Sequence, residues 1–63
     1  MGNKLQEFRK KHKITQQDLA DNLGVSRQYI SDIERNKLVP SLFMAFKISD
    51  FLKVPVCEIF YLL

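Results

Sequence analysis

Apolar residues recur along this chain at helical spacing, in short blocks divided by polar turns. The central blocks are the most informative. Leu19, Ala20 and Leu23 share one helical face, and Ile30 and Ile33 share another. Between them, Gly24 can take the left-handed conformation that ends a helix, and Ser26 can cap a new one at once. The pattern predicts two short helices meeting across a tight turn.

The flanks read the same way. Asn3 is expected to cap a first helix, with Gln6 reaching back and Leu5 and Phe8 facing inward. Lys10, Lys11 and Lys13 fall near its end, where cations suit the negative pole, and they read as a solvated charge run. Thr15 to Asp18 forms a capping box opening the second helix, and the third runs from Ser26 to about Arg35. Val39 precedes a proline and is biased toward extended backbone, after which Ser41 caps a fourth helix over residues 42–52. Leu42, Ala45, Ile48, Ser49 and Leu52 form its inward stripe, while Phe43 projects away and Phe46 lies at the margin. Pro55 begins a last short helix with Ile59 and Phe60 inward, and Cys57 reads as a small apolar member of it. The expected fold is all-α, five helices with no strand.

Two short helices across a tight turn form a helix-turn-helix, whose second helix enters the DNA major groove. Residues 16–35 resemble that motif in the phage repressor and Cro family, also called the XRE family. Residues 14–20 resemble the family's second helix, residues 26–37 its recognition helix and exit, and residues 40–42 the entry to its fourth helix. Residues 54–60 resemble its last short helix, so the likeness runs from about Lys4 to Phe60. Asn36 stands where the family usually has Gly, a mild change because Asn tolerates the left-handed region, and Pro55 stands where it often has Ser or Thr. The resemblance implies a compact five-helix lambda-repressor-like domain over residues 1–63, with the motif at about 15–35.

Size and charge narrow the function. A chain of 63 residues forms one domain and buries only about 60% of its unfolded surface, leaving little room for an enzyme pocket. No nucleophile, base and orienting group stand at plausible spacing, so no enzyme is expected. One cysteine excludes an internal disulfide, no Cys/His cluster suggests a metal, and no cofactor is called for. No signal peptide or membrane-length apolar run is present, so a cytoplasmic location is expected, with no effector-binding segment. The net charge is +3, and all of the excess lies in residues 1–37, with eight Lys or Arg against five Asp or Glu. Residues 38–63 carry two of each. That half-chain bias suits a polyanion.

A recognition helix reads bases with its N-terminal residues, here Arg27 and Gln28. Arg can bridge guanine O6 and N7, and Gln can bridge adenine N6 and N7. Asp32, one turn on, can accept from cytosine N4, repel phosphate at wrong sites, or merely pair with Arg35; Ser31 is near enough to assist. Phosphate contacts are expected from Gln16 at the start of the second helix, as the family's matching glutamine implies, and from Gln17, Ser26, Asn36 and Lys37. Gln17 can also support Gln28, and Tyr29 can pack its ring or give its hydroxyl to a phosphate. The resemblance further implies a partly buried structural ion pair between Arg9 and Glu34. His12 reads as a surface residue.

One module grips one half-site, and two on a two-fold axis read half-sites about 34 Å apart. The apolar surplus at Phe43, Met44, Phe46, Tyr61, Leu62 and Leu63 either builds a homodimer interface or completes a small core, and the homodimer is the expectation. The function expected is a stand-alone repressor binding a palindromic double-stranded DNA operator. The alternatives are a restriction–modification controller or antitoxin of the same fold, or a helical protein-interaction module that does not bind DNA.

Overall fold

The computed structural model describes residues 2–62. Five helices and one short ribbon follow in the order β1 (Gly2–Asn3), α1 (Leu5–Lys11), α2 (Gln16–Leu23), α3 (Arg27–Glu34), α4 (Leu42–Leu52), α5 (Val56–Ile59) and β2 (Phe60–Tyr61). Leu5, Leu19, Ile30, Ile33, Ile48, Leu52 and Ile59 are fully buried, so each of the five helices contributes at least one side chain to a single core.

Local chemistry sets most of the boundaries. Thr15 and Asp18 form a reciprocal capping box at the start of α2. Ser26 accepts from the Tyr29 amide to open α3, and Ser41 accepts from the Met44 amide to open α4. The helix ends share one device. Lys13, Gly24, Asn36 and Lys53 all lie in the left-handed region, with φ of 59°, 73°, 59° and 59°. The amide after each turns back onto the last helical turn: Ile14 to Arg9, Val25 to Ala20, Lys37 to Asp32 and Val54 to Ser49. Gly24 and Asn36 are legible in the sequence; the two lysines carry no such signal.

Four expectations require correction. The first is the absence of strands: Gly2 pairs with Tyr61 and Asn3 with Phe60 in an antiparallel ribbon that joins the two ends of the chain. The second is the start of α1. Asn3 belongs to β1 and Lys4 is the capping residue, although Asn3 Oδ1 still accepts from the Leu5 amide at 3.2 Å. Gln6 is exposed and makes no bond back. Third, Leu42 is 70% exposed, because it occupies the first position of α4 and the buried stripe begins only at Ala45. Fourth, α5 ends at Ile59, so Phe60 is buried from β2, and Cys57 is exposed. No described helix is long and apolar enough to cross a membrane.

Candidate nucleic-acid interface

α3 stands on α2 through Ile30 and Ile33, which are buried with Leu19, Ala20 and Leu23 in the core. Burial on that side leaves the opposite side of α3 in solvent. Arg27 and Gln28, on the first turn, are both exposed. Ser26 is exposed and its Oγ is occupied by the cap, while Tyr29 is half-buried against the core. Ser31 and Asp32 are half-buried one turn further on. Asp32 Oδ1 accepts from Gln28 Nε2 at 2.9 Å, so its partner is Gln28 and not Arg35. The two side chains four residues apart form a single polar unit on the helix surface.

Beneath this helix lies a buried polar network. Arg9 Nε donates to Glu34 Oε2 at 2.7 Å and Arg9 Nη2 to Glu34 Oε1 at 3.3 Å. Arg9 Nη1 donates to the Ile14 carbonyl at 2.8 Å. Gln16 Nε2 completes the set by donating to Glu34 Oε1 at 3.1 Å. The ion pair that the resemblance implied is therefore present, and it links α1 to the end of α3. Among the described residues, no buried side-chain nitrogen or oxygen lacks a partner. The Gln16 amide is thereby turned inward, while Gln17 donates to Asp21 at 2.8 Å instead of supporting Gln28.

Asn36 and Lys37 are exposed at the exit of α3. Asn3 Nδ2 reaches this exit, donating to the Ile33 carbonyl at 3.0 Å and to Asn36 Oδ1 at 2.8 Å. Sequence reading missed that brace, since the partners are 30 and 33 residues apart. It also missed Lys47, whose Nζ donates to the last carbonyl of α2, at Leu23, and lies 5.6 Å from the Phe43 ring centroid. Of the apolar surplus, Phe43 and Phe46 are 71% and 56% exposed, while Met44 is half-buried against the core; Val39 and Leu42, which lie outside it, are exposed beside them at positions three and four apart. Tyr61 is 38% and Leu62 91% exposed, and Leu63 lies outside the described residues.

A family model described as helix-turn-helix matches residues 5–59. Among curated relatives, an HTH-type transcriptional regulator of Methanocaldococcus jannaschii is 53% identical over 60 residues, covering 95% of this chain and 91% of that protein. The immunity repressor protein of Bacillus phage phi105 is 43% identical over 42 residues, 67% of this chain and 29% of that protein. Among solved structures, the restriction-modification controller protein C.AhdI of Aeromonas hydrophila superimposes with a TM-score of 0.81 at 30% identity, covering 89% of this chain and 85% of its own. SinR, a master regulator for biofilm formation solved in complex with DNA, gives a TM-score of 0.75 at 36% identity, with 82% and 84% covered.

Proposed function

The chain belongs to the helix-turn-helix family of DNA-binding transcriptional regulators, and from that premise we propose that it is a repressor reading a palindromic operator with α3 in the major groove. One observation carries the reading: Arg27 and Gln28 stand exposed on the first turn of a helix whose other side is locked into the core. Arg27 is assigned to guanine and Gln28 to adenine, with Asp32 orienting the Gln28 amide and Ser31 assisting. Asn36 and Lys37 at the helix exit, Gln17 and Ser26 beside its entrance and the Tyr29 hydroxyl are assigned to phosphates. Gln16 serves the phosphate backbone with its main-chain amide, its side chain being engaged by Glu34. The protein acts by binding and not by catalysis, in the reducing interior of the cell.

A homodimer supplies the second half-site. Phe43 and Phe46, with Leu42 and Val39, offer the apolar face for it, and Tyr61 and Leu62 are assigned to the same contact. The likeness to a restriction-modification controller protein supports a controller role as the second reading, which shares the same DNA chemistry.

Selection of bound duplexes from a random pool tests the proposal directly. The expected product is an inverted repeat with half-site centres about one helical turn apart. A pool that stays random after selection overturns sequence-specific binding.

A further inference from the structure

The cleft beside α2 has a charge pattern that base reading alone does not use. It is an open groove of about 630 Å³, and its charged lining residues are Arg9, Lys10, Lys13 and Arg27, with no carboxylate among the residues that line it. Glu34 neutralises Arg9 from below. Lys10, Lys13 and Arg27 are exposed, and none of them forms an ion pair among the described residues. Three uncompensated cations around one concavity repel one another and raise the local potential, which favours a polyanion lying across all three. Arg27 is the base-reading tip of α3, so the same cleft leads from the groove-facing residues back over the start of α2 to the end of α1.

The backbone that carries the two lysines is also held in place. Lys10 lies in the last turn of α1 and Lys13 in the left-handed turn after it. That turn is closed by the Lys13 amide to the Lys10 carbonyl at 2.9 Å and the Ile14 amide to the Arg9 carbonyl at 3.0 Å. Arg9 Nη1 clamps the Ile14 carbonyl while its Nε grips Glu34 at the end of α3. The position of that backbone relative to the recognition helix is thus fixed by the buried network. Lys11, between them in sequence, does not line the cleft.

We propose that Lys10 and Lys13 contact the DNA backbone, each neutralising one phosphate of the strand that passes Arg27. They read no base, and they extend the footprint of the motif from α3 to the end of α1. This inference rests on the DNA-binding reading above and adds the path of one strand across the protein.

The test compares three chains on one random-sequence duplex and on one selected duplex, across a range of salt: the parent, Lys10→Gln/Lys13→Gln, and Lys11→Gln. Each neutralised phosphate contributes about 0.9 to the slope of log K against log salt. The double variant is expected to lose about 1.8 from that slope, with base preference unchanged. Lys11→Gln, which removes one positive charge from the residue next to Lys10 that does not line the cleft, is expected to keep the parent slope. A double variant whose slope matches that of Lys11→Gln overturns the assignment, as does a change in the preferred sequence. A parent chain that binds no duplex at any salt overturns this inference together with the DNA-binding reading, and so separates the two failures.

Discussion

Arg9 Nε lies 2.7 Å from Glu34 Oε2, and the two side chains retain only 8% and 3% exposure. Removing one partner of such a buried pair costs roughly 3–5 kcal/mol, because the other charge is left without compensation. At about 0.05–0.15 kcal/mol per residue, a domain of this length has roughly 3–9 kcal/mol of stability in total. Arg9→Ala is therefore expected to melt far below the parent or to be unfolded at room temperature. Arg9→Met/Glu34→Leu, which removes both charges and keeps volume, is expected to recover much of the loss. Thermal melts followed by circular dichroism decide it; an Arg9→Ala melt that overlays the parent would remove the pair from the stability account.

Arg27→Ala and Lys37→Ala are expected to differ in kind. Loss of a bidentate base contact should relax preference at one operator position by about 1–3 kcal/mol. Loss of a phosphate contact should weaken all sequences alike and flatten the salt slope by about 0.9. Binding measured on a panel of single-position operator variants separates them, and identical profiles for the two substitutions would undo this division of roles.

Gly2 is closed in by an aromatic ring. A Cβ built there would overlap the Tyr61 ring, which covers the glycine in the ribbon. Gly2→Ala is expected to push the Tyr61 ring aside and loosen the pairing of β1 with β2, lowering stability by about 1 kcal/mol, since the mobile end of the ring can swing away in part. The Gly2 α-protons should show a ring-current shift in the parent NMR spectrum that disappears in Tyr61→Ala. Unshifted protons in the parent would contradict the contact.

Lys53 ends α4 at φ 59°, where a side chain crowds its own backbone. Left-handed backbone costs an L-residue about 1–2 kcal/mol, while glycine gives back roughly 0.5–1 kcal/mol through its freer unfolded chain. The pair between Lys53 and Asp50, at 3.8 Å with both side chains mostly exposed, offsets little of this. Lys53→Gly is expected to raise stability by about 0.5–1 kcal/mol, read as a higher urea midpoint with an unchanged m-value. A lower midpoint would show that the lysine makes a contribution not accounted for by its backbone.

Phe43 is 71% exposed and Phe46 56%, so neither is needed to fill the monomer core. Phe43→Glu is expected to shift sedimentation at micromolar concentration from dimer to monomer with little change in the circular dichroism spectrum. It should also weaken binding to a two-half-site duplex far more than to a single half-site. Sedimentation of the parent as a monomer would withdraw this face from the dimer proposal.

Periodicity placed the five helices and capping chemistry opened three of them, because each signal lies within four residues of the position it governs. Thr15 and Asp18 open α2, Ser26 opens α3, Ser41 opens α4, and Gly24 turns the chain between the two helices of the motif. Apart from the Arg9–Glu34 pair, which the family resemblance implied, tertiary structure decided what depends on residues distant in sequence. The ribbon of Gly2 and Asn3 with Phe60 and Tyr61 is too short to leave a two-residue periodicity, and it exists because the two chain ends meet over the core. The inward turn of the Gln16 amide, the brace from Asn3 to Asn36 and the union of Lys10, Lys13 and Arg27 around one cleft follow from the way α1, α2 and α3 are packed. A local pattern specifies which face of a helix is apolar; only packing specifies which polar side chains from separate helices come to share one surface.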